Sequence, residues 1–183
     1  HFPAQSGSTR ILKRMCRTYS RSQYLEIIRA FRRVMPGMKF SSDFIVGFPG
    51  ESDRDFELTL SLLEQVQYES VFSFIYSPRP RTRAAALVRE LPAAAIKERL
   101  YALQEAQAAI QLKNNRRLLG ETIEVLIAEK HPKKAGEVIG RSESYRVINF
   151  VSTTPVGEFA QVKVTAAGPH SLRGVEIRPR PHG

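Results

Sequence analysis

The sequence holds a single cysteine, Cys16, among its 183 residues, and it has no tryptophan and far fewer acids than bases. One thiol excludes an intrachain disulfide and any metal centre built from several thiolates; the expectation is a reducing, cytoplasmic setting. No apolar run approaches the ~20 residues that a membrane-spanning helix needs, so no membrane partner is expected. The chain opens on His1, not Met, in a stretch without signal-peptide or transit character, which predicts a start inside a longer polypeptide. The 18 acidic residues face 28 basic ones, a net charge of +10 that favours a polyanionic partner such as RNA. The excess is uneven, with +8 in residues 1–118 and +2 in residues 119–183.

What is present is organised around residues 41–51. Residues 44–48 form a short apolar run that predicts a fully buried strand of a parallel sheet. Gly47, Pro49 and Gly50 stop it, and Ser52 is placed to cap a helix with Asp53 and Asp55 in the first turn, where carboxylates suit the free N–H groups. In parallel α/β sheets the loops after the strands form the ligand side, and a glycine there permits close approach to the backbone. Residues 47–51 are therefore a candidate ligand loop; an ordinary strand-to-helix turn explains them equally well.

Around this stretch the pattern alternates. Residues 1–8 read as a strand end running into a loop. Arg10, Lys13, Arg14, Arg17 and Arg21 recur at helical spacing with no intervening acid, which predicts one cationic helix face, either solvated or meeting phosphates or carboxylates. Cys16 within it is expected to be a small packing residue. Residues 20–23 fit a capping box, and Tyr24, Ile27, Ile28, Phe31 and Val34 then form an apolar stripe that should cover a sheet. A helix over residues 52–66 and a second buried strand over residues 71–76 follow, the signature of a parallel α/β sheet or barrel segment. Residues 77–83 place Arg79, Arg81 and Arg83 in a loop held extended by prolines, as a solvated loop or as a contact to RNA phosphate or substrate. A long helix over residues 92–118 then aligns Ile96, Leu100, Leu103, Gln107 and Ile110 and ends at Gly120.

Beyond Gly120 the period falls to two. Strands are expected at residues 122–127, 137–141, 145–151, 159–164 and 172–177, separated by turns, which suggests a small closed antiparallel barrel of OB-like type. Arg141, Tyr145, Arg146, Lys163 and Arg173 would give it charge and one stacking ring; surface solvation accounts for many of them as well.

Four motifs then share an order. Residues 1–8 with Gln5-Ser6-Gly7-Ser8, residues 15–20, Asp43-Phe44-Ile45-Val46-Gly47-Phe48-Pro49-Gly50-Glu51, and Tyr76-Ser77-Pro78-Arg79-Pro80 with Thr82 and Ala84-Ala85 resemble the radical S-adenosylmethionine methylthiotransferases. The likeness is nearest to the tRNA branch that makes 2-methylthio-N6-dimethylallyladenosine beside the anticodon. The threonylcarbamoyladenosine branch is separated mainly by residues 74–78. Residues 122–177 resemble the TRAM module that ends those enzymes. The chain departs from the pattern at Arg81 and Arg83, where many members carry Gly and Pro, and at Cys16, where Asn is frequent.

The resemblance implies the C-terminal half of such an enzyme: residues 1–90 as the last part of a partial (β/α) radical-SAM barrel, 91–118 as a connecting helix, and 119–183 as the TRAM barrel and tail. The cofactors implied are S-adenosylmethionine and two [4Fe–4S] clusters, the clusters held by cysteines outside this chain. Gln5, Ser6 and Arg17 would approach the methionyl or ribose part of S-adenosylmethionine, and Ile45, Gly47 and Phe48 the adenine. Gly7, Asp43 and Glu51 belong to the same set, with Glu51 expected to cap the following helix. Tyr76, Arg79, Arg81 and Arg83 would face the incoming RNA. No residue here is expected to be catalytic or to bind metal. The implied partners are tRNA and the missing N-terminal half, in a monomer. The other reading is a stand-alone tRNA-binding module without catalysis.

Overall fold

The computed structural model describes residues 1–87 and 91–177; the end of the first expected domain at residue 90 and the tail 178–183 lie outside the described residues. The chain divides into two compact units, His1–Ile110 and Gln111–Gly183.

The first unit runs α1 (Thr9–Arg14), α2 (Arg21–Val34), β1 (Ser41–Val46), α3 (Asp53–Val66), β2 (Ser70–Ile75) and most of α4 (Ala93–Arg116). Strands β1 and β2 pair in parallel, Asp43 opposite Phe72 and Ile45 opposite Phe74. Residues 2–5 run beside β1 on its other side. The Phe2 amide donates to Ser41 O at 2.9 Å, the Gln5 amide to Asp43 O at 2.8 Å and the Ile45 amide to Gln5 O at 2.9 Å. The sheet is thus parallel, as the helix–strand alternation predicts.

Its burial is one-sided. Along β1 burial alternates, with Ser42, Phe44 and Val46 sealed against the helices and Asp43 and Ile45 only partly covered. On β2, Phe72 and Phe74 are more than half exposed. The expectation of two strands buried on both faces is corrected: helices cover one face, and β2 is an edge strand. The core joins Phe44, Val46, Tyr24, Ile28, Leu63 and Tyr68 with Ile96, Leu103 and Ile110 of α4.

Two helices depart from the sequence pattern. The cationic helix does not continue to Arg21, because α1 ends at Arg14 and Cys16 takes a left-handed φ of 56°. Cys16 is exposed, not packed. Arg10 and Arg21 are occupied by the protein itself, Arg10 by Asp55 and the Gly50 carbonyl at 2.6 Å, Arg21 by the carbonyls of Gly7 and Leu58 and by the Ser61 hydroxyl. On α2 the capping box of Ser20 and Gln23 forms as expected, but the apolar stripe is only half covered: Tyr24 and Ile28 are buried while Ile27, Phe31 and Val34 are exposed. The stripe is wider than the sheet beneath it.

In the second unit β3 (Thr122–Lys130), β4 (Glu137–Ser142), β5 (Val147–Val151), β6 (Phe159–Ala167) and β7 (Leu172–Glu176) close a barrel in the order β3-β4-β5-β7-β6. The five strands stand where the period of two places them. All pairs are antiparallel except β5 with β7, which run parallel and close the ring. Inward residues Val125, Ile127, Ile148, Phe150, Val162 and Leu172 make a core of its own.

Candidate functional site

The sheet's uncovered face opens into a cleft of about 690 Å³ bounded by β1, β2 and the loops after the strands. Asp43 and Ile45 of β1 and Phe74 of β2 line its floor, with Gln5 and Phe48 at the ends of their strands and Arg17, Tyr76, Arg79 and Arg83 along its rim. Residues from motifs far apart in sequence therefore meet in one cavity. The reason is topological: parallel strands put all their carboxyl ends on one side.

Gln5 sits at a φ of 65°, uncommon for a residue with a side chain, and its amide oxygen accepts a hydrogen bond of 3.1 Å from Arg17. Cys16, also at the cleft, shares this left-handed backbone. Such strain costs on the order of 1–3 kcal/mol per residue and persists only where the surroundings over-determine it. The Phe48 ring meets Tyr76 edge-on at 4.8 Å, and the cleft is lined by this aromatic pair together with the polar groups of Gln5, Arg17 and Asp43.

Other residues of the predicted set stand behind the cleft. Ser6 and Gly7 turn toward α3, where Thr59 Oγ1 accepts from the Gly7 amide at 2.9 Å and a Cβ on Gly7 would fall 2.2 Å from Leu58 O. Gly47 has a φ of 68°, and Glu51 is 4 % exposed. Glu51 does not cap α3. Ser52 is the cap, in a capping box with Asp55, while Glu51 Oε2 accepts from the Gly47 amide at 2.8 Å and from Arg99 at 2.8 Å. Burial pushes the Glu51 carboxyl up, opposed by the Gly47 amide and Arg99. Burial would raise Asp55 too, but Arg10, the Ser52 hydroxyl and amide and the Ser8 hydroxyl outweigh it and hold that carboxyl well below the usual range.

Arg14 and Arg99 are the residues that sequence reasoning missed. Arg14 donates to Pro49 O at 3.2 Å and its guanidinium lies against Gly50; it was visible only as one of a basic series. Arg99 sits in a helix read as a connector, with nothing in its neighbours to mark it. Arg81 is exposed at a φ of 65°, so the loop turns at Pro80 and Arg81 and is not extended throughout.

On the barrel, Arg141, Tyr145 and Lys163 are exposed, and Arg173 is engaged with Glu137 at 2.6 Å. Phe159, 63 % exposed, faces out opposite Leu126, which is itself opposite Arg141. This row across β6, β3 and β4 was hidden, because neither strand register nor neighbour order is legible before the barrel closes.

Fold and cleft together define a parallel α/β segment with a ligand cleft, followed by an OB-like barrel. Residues 1–63 match the family model of the Radical SAM superfamily and residues 116–176 that of the TRAM domain. The chain is 44 % identical over 176 residues to a tRNA-2-methylthio-N(6)-dimethylallyladenosine synthase of Pseudomonas savastanoi pv. phaseolicola, covering 95 % of this chain and 40 % of that protein. It is 45 % identical over 179 residues to the enzyme of the same name from Cronobacter sakazakii, covering 97 % of this chain and 38 % of that protein. The match lies in the C-terminal region of these relatives, so the chain spans about 40 % of their length.

Proposed function

We propose that the polypeptide to which this chain belongs is a radical S-adenosylmethionine enzyme that adds a 2-methylthio group to N6-dimethylallyladenosine in tRNA. The observation that supports this best is the convergence of Gln5, Arg17, Asp43, Ile45 and Phe48 on one cleft. An apolar wall beside a carboxylate and an amide–guanidinium pair suits a cofactor that is purine at one end and a charged amino acid at the other. Ile45 and Phe48 would take the adenine, Gln5 and Arg17 the ribose or methionyl part, and Asp43 a hydroxyl or ammonium donor. Gly7, Ser6, Gly47 and Glu51 support the cleft from behind. S-adenosylmethionine bound to a reduced iron–sulfur cluster supplies radical chemistry. The residues here do not fit such a cluster: Cys16 is the only thiol, and no group of metal-ligating side chains gathers among the described residues. The clusters are therefore assigned to the part of the polypeptide outside this chain.

Tyr76, Arg79 and Arg83 at the cleft rim, the exposed Arg81 of the same loop, and Arg141, Tyr145, Arg146 and Lys163 on the barrel, would meet the tRNA. No helix among the described residues is long and apolar enough to cross a membrane; the proposed setting is the cytoplasm, as a monomer. The test is expression of the full-length polypeptide in a bacterium lacking the corresponding synthase, followed by mass spectrometry of its tRNA nucleosides. Appearance of 2-methylthio-N6-dimethylallyladenosine is expected. Methylthiolation of threonylcarbamoyladenosine instead would move the protein to the related branch, and binding of tRNA without either product would leave an RNA-binding module.

The barrel's separate core favours that second reading.

A further inference from the structure

The turn that carries Phe48 into the cleft is held from outside. The Gly47 amide donates to Glu51 Oε2 at 2.8 Å, which in turn takes Nη1 of Arg99 at 2.8 Å; the same nitrogen reaches Glu51 O at 3.1 Å. The other carboxylate oxygen, Oε1, is buried without a hydrogen-bond partner. Arg99 and Glu51 are 7 % and 1 % exposed at their side chains. A carboxylate so placed has one strong partner, and it keeps its orientation only while that partner stays. Arg99 is fixed in its turn by Asp53 at 2.6 Å and by the Phe56 ring, over which its guanidinium lies at 5.5 Å. One helical turn before it, Ile96 packs directly on Gly47.

We infer that Arg99 is the positioning residue of this turn: through the Glu51 carboxylate it fixes the Gly47 amide, and so sets the place of the Phe48 ring at the cleft wall. Its effect on ligand affinity rests on the reading of the cleft as a nucleoside-cofactor site; its hold on the turn does not. A guanidinium is required because two acceptors on Glu51 and one on Asp53 are met at once by a planar fork, which an ammonium group cannot span.

The experiment is amide hydrogen exchange, read by NMR on the 183-residue chain, for Arg99→Met and Arg99→Lys. Protection of the Gly47 amide should fall about tenfold or more in both variants, as expected for loss of a charge-assisted bond, with the Lys variant closer to the parent. The Ile45 and Tyr76 amides, which donate to Gln5 O and Val46 O, should keep theirs. A merely structural role would lower all three together. Unchanged protection at Gly47 in the Lys variant, which preserves charge and bulk, would overturn the inference. In the full-length polypeptide, the Kd for S-adenosylmethionine should rise about tenfold by calorimetry in Arg99→Lys. A loosened Gly47 amide with unchanged Kd would overturn the cofactor reading of the cleft and leave the hold of Arg99 on the turn intact.

Discussion

Ile96 of α4 occupies the space that a side chain on Gly47 would need: its Cγ2 lies 2.7 Å from where a Cβ would stand. The left-handed φ of 68° at Gly47 asks for glycine for a second, independent reason. Gly47→Ala should therefore destabilise the first unit by about 2–4 kcal/mol, from backbone strain and overpacking together. Pairing it with Ile96→Ala should recover the overpacking share only. Urea unfolding of both variants separates the two contributions.

Acid should weaken the first unit through Asp55. Its carboxyl is held below its ordinary value by Arg10, Ser52 and Ser8 against the opposing effect of burial. A group whose folded-state pKa is depressed contributes stability above its unfolded value, near 3.9, and that stability is lost as pH falls below it. Glu51 is raised, so its contribution has the opposite sign and eases on acidification. Asp55→Asn should flatten the loss of stability below about pH 4 and cost about 1–3 kcal/mol at neutral pH. Unfolding free energies measured between pH 3 and 7 check both.

The outward row of Phe159, Leu126 and Arg141 supports a division of labour on the barrel. Where the barrel meets tRNA as proposed, Phe159→Ala should weaken that binding by about 1–3 kcal/mol, the range for loss of one stacked base, with little change in its salt dependence. Arg141→Gln should instead lower the slope of log K against log salt by about 0.7–0.9. Arg173→Gln should do less, since Arg173 is already engaged by Glu137. Fluorescence titrations at several salt concentrations distinguish the three, and equal slopes for the two arginine variants would remove the distinction.

Arg81 adopts a conformation that favours glycine, with a φ of 65°. Arg81→Gly should leave stability within about 0.5 kcal/mol, because relief of strain offsets the entropy that glycine loses. Arg81→Val should cost about 1–2 kcal/mol. Thermal unfolding of the two variants side by side tests the conformation directly.

Much of this protein is determined locally. The period of two after Gly120, the caps at Ser20 and Ser52 and the alternation of helix and strand all reflect interactions within a few residues, and each reappears in the structure. The common side of Gln5, Gly47 and Tyr76 also follows from strand direction alone. Tertiary structure decided how far burial extends and which charges are free. A sequence shows that Ile27, Phe31 and Val34 lie on one helix face, but the number of strands beneath them sets whether they are covered. It shows five arginines and lysines between residues 10 and 21, but a left-handed Cys16 breaks their line, and Arg10 and Arg21 are engaged by acceptors on α3. The role of Arg99 was wholly tertiary: a buried ion pair depends on desolvation and on partners brought from a distant loop, neither of which leaves a mark on the residues beside it.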